Sequence, residues 1–91
     1  MSYQVPSVVK RHGGRIAIIT GKGRKNFDVI ANESGRLFSR KYTCEELQML
    51  GYAHDPYPVV SAAEKFLTHQ GGLTPNARTS LEQLIEDAWL L

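Results

Sequence analysis

The sequence predicts an α+β fold in which a three- or four-stranded antiparallel β-meander is followed by three short helices packed on one face of the sheet. Two observations lead to this prediction. Short apolar runs bounded by glycine and turn residues fill the first half of the chain, and apolar residues at helical spacing fill the second. The 91 residues, of which 42% are hydrophobic, fit one domain over 1–91, with a β-sheet half at 1–42 and a helical half at 43–91.

Three strands are expected in the first half. Residues 15–20 form an apolar, β-branched run between glycines, which is typical of a buried strand. Residues 26–31 place apolar side chains at every second position, and 36–42 return along the sheet after turn residues at 32–35. Residues 7–11 are a candidate fourth strand at the edge of the sheet.

Two helices are predicted between residues 43 and 69. Thr43 and Glu46 have the spacing of a capping box, in which each side chain bonds a backbone amide of the other residue. Gly51 ends this first helix, and an extended connection follows. Pro58 fits the first turn of a second helix over 59–69, where apolar residues recur at helical spacing.

A third helix begins at Thr74 and Pro75, a cap followed by a first-turn proline. Its apolar stripe comprises Leu81, Leu84, Ile85, Ala88 and Trp89. The chain ends in three large apolar residues, 89–91, which need a core or an interface to cover them. We expect Trp89 to pack into the core, with homodimerisation or partner docking as the alternatives.

Charge is divided unevenly along the chain. Residues 1–44 carry nine lysines and arginines against two acidic residues, a formal charge of +7, and residues 45–91 carry two against seven, a charge of −5. Two surfaces with different partners would explain this division, and so would pairing of the two halves within the chain or between copies.

The third predicted strand carries aromatic and basic side chains on one side. Alternation places Arg36, Phe38, Arg40 and Tyr42 together. Such a face suits nucleic acid, because aromatic rings stack on bases and guanidinium groups bind phosphates. The alternative interpretation, which we favour for Phe38, places the ring in the hydrophobic core. The arginines then lie at the rim of the core and extend their charged groups into water.

Two predicted loops carry six further lysines and arginines of the basic half. Residues 21–25 combine two glycines with three cations and fit a phosphate contact, although they lack the spacing of a Walker motif. A charged, mobile hairpin tip is the alternative interpretation. Residues 10–15 add three more cations, and the two loops would lie at opposite ends of the second strand, about 20 Å apart at roughly 3.3 Å per residue. The cations then form a stripe along the sheet, unless they are scattered around the domain.

The sequence contains few residues in patterns that are typical of catalysis or metal binding. Cys44 sits at a predicted helix start, where the thiol pKa falls, but His54 is the only histidine near it in sequence. No metal-ligand spacing, cofactor motif, membrane span or secretory signal is recognised, so we expect no enzyme, no cofactor and a cytoplasmic location.

The sequence therefore favours a small binding protein whose basic half contacts nucleic acid or a nucleoprotein complex. The candidate contact residues are Lys10, Arg11, Arg15, Lys22, Arg24, Lys25, Arg36, Arg40 and Lys41. A protein contact is expected on the acidic helical half, through Glu82, Glu86, Asp87 and Trp89, and a homodimer is possible. The alternative is a phage- or plasmid-type inhibitor or adaptor, of the anti-restriction or anti-CRISPR kind, that occludes the surface of a larger protein or ribonucleoprotein assembly.

Overall fold

A computed structural model describes residues 3–90 and has eight elements of secondary structure. The strands are β1 (Ser7–Lys10), β2 (Ile16–Lys22), β3 (Asn26–Glu33), β4 (Arg36–Thr43) and β5 (Ala53–Asp55). The helices are α1 (Cys44–Met49), α2 (Val59–Leu67) and α3 (Pro75–Trp89). All neighbouring strands pair antiparallel, in the order β4-β3-β2-β1-β5, which confirms the predicted α+β fold class.

The sheet has one strand more than the three or four that the sequence predicts. Residues 53–55 pair with β1, so that Val9 lies opposite His54. As a result β1 is an interior strand, and the prediction that it forms the edge is wrong. A three-residue strand is too short to show a hydrophobic period, which is why the sequence gives no sign of β5.

One face of the sheet is covered by α2 and α3, and we call it the helix-pair face. Its buried strand residues are Val8, Ile18, Ile30 and Leu37. The helices contribute Ala62, Ala63 and Phe66 from α2, and Ala77 and Leu81 from α3. These residues form one continuous core because the apolar stripes of both helices meet the same set of strand positions.

The opposite face carries a second core and is covered in part by α1; we call it the α1 face. Val9, Ala17, Ile19, Phe27 and Val29 are buried there, and Leu47 of α1 and Tyr52 pack on them. The prediction that all three helices pack on one face is therefore wrong for α1. The physical reason is already visible in residues 16–19, which are apolar at every position, so that both faces of β2 need cover.

Local signals in the sequence fix where the helices begin. The hydroxyl of Thr43 accepts a hydrogen bond from the Glu46 amide at 3.1 Å, and the Glu46 carboxylate accepts one from the Thr43 amide at 2.8 Å. The predicted capping box is thus present. Thr74 caps α3 through its hydroxyl alone, which accepts from the Ala77 amide at 3.3 Å. Within residues 3–90, none of the helices has the length and apolar character needed to cross a membrane.

Candidate nucleic-acid interface

The centre of the candidate interface is Phe38 on β4. Arg36, Phe38, Arg40 and Tyr42 share one side of the strand, as predicted, and that side is the α1 face. Phe38 is half-buried and belongs to neither core, so the core position expected for it is wrong. The guanidinium carbons of Arg40 and Arg36 lie 4.5 and 5.9 Å from its ring centroid, within the range of a cation–π contact.

Two further cations lie over aromatic rings on this same face. The Lys22 ammonium is 5.6 Å from the Phe27 ring centroid, and the Arg11 guanidinium carbon is 5.6 Å from that of Tyr52. Both rings belong to the core beneath the α1 face. We call the surface formed by Arg11, Lys22, Arg36, Phe38 and Arg40 the basic aromatic face, because its cations are held against rings instead of extending freely into water.

Two of the nine candidate cations are already paired. The Arg40 Nε atom lies 2.8 Å from Glu33 Oε2, and the Lys41 Nζ atom lies 2.7 Å from Asp28 Oδ1. The hydrogen bond to Glu33, followed by the charge of Glu33, raises the pKa of Arg40 above its ordinary value. Both pairs are exposed, so each stabilises the fold only weakly.

The remaining seven cations of the basic half form no salt bridge within residues 3–90. Asp28 and Glu33 are the only acidic residues in 1–44, and each is used by one cation. In the part of the chain from Tyr3 to Leu90, no salt bridge joins the basic half to the acidic half. The alternative in which the two halves neutralise each other within one chain is therefore not supported by the structure.

The two basic loops lie at opposite ends of the sheet, as predicted. The loop after β1, which contains Arg15, lies at the end where β4 begins. The hairpin tip with Arg24 and Lys25 follows β2 at the other end, and both of these side chains are exposed. The basic aromatic face extends between these two ends.

The nine cations do not form a single stripe. Lys10 and Lys41 project from the helix-pair face, because they share the alternation of Val8 and Leu37. Lys41 pairs with Asp28 there. The structure thus brings together Arg11, Lys22, Arg36 and Arg40, places Arg15, Arg24 and Lys25 at the ends of that face, and separates Lys10 and Lys41 from it.

The predicted protein-contact residues lie along α3. Glu82, Glu86 and Asp87 are exposed. Trp89 follows Ile85 by four positions and so continues the apolar stripe of the helix, yet it is 80% exposed. The expectation that Trp89 packs into the core is wrong, because the stripe extends past the part of α3 that packs in the core. Leu90 is 79% exposed beside it, and Leu91 lies outside the described residues.

Two tyrosines near the α1 face have raised pKa values. Burial, with a smaller contribution from the charge of Cys44, raises the pKa of Tyr3 above 10.0, and the Tyr3 hydroxyl donates a 2.8 Å hydrogen bond to the carbonyl oxygen of Tyr52. Burial, followed by the charge of Glu33, raises the pKa of Tyr42. Both groups are therefore un-ionised at neutral pH and act as part of the fold.

The sequence did not indicate which rings would hold the cations. Phe27 and Tyr52 were not assigned to the site, since Tyr52 follows a short helix whose position over the sheet depends on tertiary packing. The Asp28–Lys41 pair, by contrast, could have been found. With the turn at 34–35, the hairpin register places these two residues directly opposite each other.

Cys44 and His54 are the two residues whose sequence context raised the question of nucleophilic chemistry. Cys44 is half-buried against the core of the α1 face. His54 lies on β5, where its ring contacts Tyr3 at a centroid distance of 5.4 Å. Among the residues that the structure describes, no three histidine, cysteine, aspartate or glutamate side chains are grouped so as to hold a metal ion.

Comparison with known proteins adds no functional information. No protein-family model matches the chain, and no curated protein or solved structure matches it significantly.

Proposed function

We propose that this chain is a non-enzymatic, cytoplasmic binding protein whose basic sheet half contacts nucleic acid or a nucleoprotein complex. The observation that carries the proposal is the set of seven cations that have no salt bridge within residues 3–90, although both acidic residues of the same half are paired. Unpaired like charges on a small domain repel one another. A polyanion removes that repulsion, and release of its counterions favours the complex.

The basic aromatic face supplies the contacts that the proposal needs. Arg36 and Arg40 flank Phe38, so that the guanidinium groups can bind phosphates while the ring packs against a base. Lys22 and the neighbouring hairpin tip extend the positive charge toward one end of the sheet. Such an arrangement favours an extended nucleic-acid backbone over a small ligand, because the cations are spread along the sheet instead of converging on one point.

Charge reversal tests this assignment with a matched control. Arg24→Glu with Lys25→Glu removes the hairpin-tip cations, whereas Lys65→Glu with Arg78→Glu removes the only two cations of residues 45–91. Both double variants lower the formal net charge from +2 to −2. We expect the first to abolish oligonucleotide binding, measured by fluorescence anisotropy, and the second to weaken it only through the general loss of charge. Equal affinities of the two double variants would contradict the assignment of the tip.

A second candidate function is an inhibitor or adaptor that occludes a larger assembly. The exposure of Trp89 and Leu90 beside Glu86 and Asp87 favours it, since large apolar side chains at a surface are typical of protein contacts. Trp89→Ala should then abolish capture of a defined protein complex from host lysate. Met49→Ala, at a position 87% exposed on α1, is the matched control and should leave capture unchanged.

A further inference from the structure

A cavity of about 600 Å³ lies over the helix-pair face, between the sheet and α3, and we call it the polar cavity. Its sheet side includes Thr20 and Gly21 of β2, Asp28 of β3, and Ser39 and Lys41 of β4. Its helix side includes Asn76, Ser80, Gln83 and Asp87, which are spaced by four, three and four positions and so share one side of α3. The volume is within the roughly 300–1,000 Å³ that small-molecule sites occupy.

The polar cavity occupies the part of the helix-pair face where polar side chains replace the apolar ones of the core. Asp28 shares the strand alternation of the buried Ile30. Ser39 and Lys41 share that of the buried Leu37. Strand positions that helices cover are normally apolar, and a local departure from that pattern is typical of a functional site.

Strand β2 is irregular where it lines the polar cavity. Its register with β3 shifts between Ile19 and Gly21, and irregularities of this kind are common beside binding sites because they redirect the strand. A Cβ atom built on Gly21 would lie 3.0 Å from the Oδ2 atom of Asp28. Glycine at this position therefore leaves space for the Asp28 carboxylate.

Three polar side chains that line the cavity form no side-chain hydrogen bond within residues 3–90, namely those of Ser39, Asn76 and Ser80. Each hydroxyl or amide group can both donate and accept a hydrogen bond. Ligand hydroxyl groups do the same, so a ligand that carries several hydroxyls matches this set. Among the described residues that line the cavity none is aromatic, which disfavours a flat ligand that binds by stacking.

The charges around the polar cavity favour a cation. Asp28 is paired with Lys41 at 2.7 Å, and the Arg40 guanidinium is held on the α1 face. Asp87 accepts a hydrogen bond from Gln83 at 2.9 Å but forms no salt bridge within residues 3–90. One negative charge therefore remains in the cavity, so a ligand ammonium group is attracted and a phosphate is repelled.

We propose that the polar cavity binds a small polyhydroxylated amine of the amino-sugar class. The ammonium group of the ligand lies beside Asp87, and its hydroxyl groups bond to Ser39, Asn76 and Ser80. The several hydrogen bonds supply affinity, and the charge-assisted bond to Asp87 selects the amine over a neutral sugar. This site lies on the opposite side of the sheet from the basic aromatic face and does not depend on nucleic-acid binding.

The proposal is tested by NMR titration of the full, ¹⁵N-labelled chain with D-glucosamine and D-galactosamine, under mildly acidic conditions in which the amine is protonated. D-glucose and D-galactose lack the amine, and putrescine lacks the hydroxyl groups. We expect saturable shifts of amide signals around the polar cavity, with an affinity for at least one amino sugar about tenfold higher than for its parent sugar or for putrescine. Glucose 6-phosphate should bind more weakly than glucose.

Two pairs of variants locate the site and the charge that selects the ligand. Asp87→Asn should make an amino sugar bind no better than its parent sugar, whereas Glu86→Gln, at an exposed carboxylate outside the cavity, should keep the preference. Gln83→Trp fills the cavity from α3 and should abolish the binding of both sugars. Arg78→Trp, on an exposed part of α3 outside the cavity, should bind as the parent chain does.

The spectrum of each variant shows whether it is folded, so a loss of binding can be separated from a loss of structure. The proposal is overturned if neither amino sugar gives saturable shifts, if the shifts lie away from the polar cavity, or if Asp87→Asn and Glu86→Gln have the same effect. Oligonucleotide affinity, measured on the same variants, reports separately on the proposed function.

Discussion

Single side chains decide which cations of the basic half form salt bridges within the described residues. Arg40 and Lys41 are adjacent in sequence but point to opposite faces, and each pairs with a different acidic residue. Arg40 nevertheless stays against Phe38, so its pairing with Glu33 orients the guanidinium over the ring without withdrawing it from the face. Phe38 is therefore the one aromatic ring of the basic aromatic face that is accessible beside two cations.

Phe38→Ala should weaken binding of single-stranded oligonucleotides by about 1–3 kcal/mol, the usual contribution of one base stacked on an aromatic ring. Because Phe38 is only half-buried, the loss of stability should be smaller than that for a core phenylalanine. Anisotropy titrations and urea unfolding measure the two effects. Tyr57→Ala, which follows the strand at the opposite edge of the sheet, is the control and should bind as the parent does. If Phe38→Ala binds with unchanged affinity, the Phe38 ring does not contact the oligonucleotide.

Tyr3 makes the stability sensitive to alkaline pH. Its pKa is raised in the folded chain, so the unfolded chain loses the proton first, near pH 10.0. The contribution of Tyr3 to the free energy of unfolding is fully present below that pH. It is lost as the pH rises through the higher pKa that Tyr3 has in the folded chain. Unfolding by urea between about pH 8 and about pH 11 measures this. Tyr3→Phe should be less stable at the lower pH, because the hydrogen bond to Tyr52 is lost, but should decline less steeply. Parallel curves for the variant and the parent would contradict this account.

At the scale of elements, patterns confined to one segment are predicted well and contacts between segments are not. The capping box at Thr43, the start of α3 at Thr74 and the alternation of β4 depend on neighbouring residues, and all three are present. The pairing of β5 with β1 and the position of α1 depend on contacts between segments distant in sequence. Apolar residues at consecutive positions of β2 were the one local sign that both faces would be covered.

The contact between the loop after α2 and the turn before β4 limits what residue 71 can be. A Cβ atom built on Gly71 would overlap the carbonyl group of Gly35, which is backbone and cannot move aside. The ring nitrogen Nε2 of His69 also lies 2.8 Å from the Gly35 carbonyl oxygen, which holds the two segments together. Glycine is thus required at 71 by close packing.

Gly71→Ala should therefore destabilise the fold by about 1–3 kcal/mol through this overlap. Gly23→Ala is the matched control, since its Cβ would make only ordinary contact, 3.6 Å from the Asn26 carbonyl oxygen. Thermal unfolding of both variants measures the difference. If the two variants melt at the same temperature, the close approach of the two segments is not a feature of the folded chain in solution.

At the scale of the whole molecule, charge and hydrophobicity divide the surface into parts with different chemistry. Seven of the nine cations of the first half occupy the basic aromatic face and its two ends, whereas Lys10 and Lys41 project from the helix-pair face. The acidic residues of α3 lie on that other side of the sheet, beside the exposed Trp89. The charge count alone predicted this separation along the chain. It could not predict which cations share a face, because that depends on strand register and on which face α1 covers.

The most direct test of the nucleic-acid proposal is fluorescence anisotropy of labelled single- and double-stranded DNA and RNA, titrated with the full chain at several salt concentrations. We expect micromolar or tighter binding to at least one of these probes. We also expect the logarithm of the affinity to fall linearly with the logarithm of the salt concentration, because the cations that form no salt bridge within residues 3–90 displace counterions from phosphates. The absence of binding near physiological salt, or an affinity that is independent of salt, would contradict it.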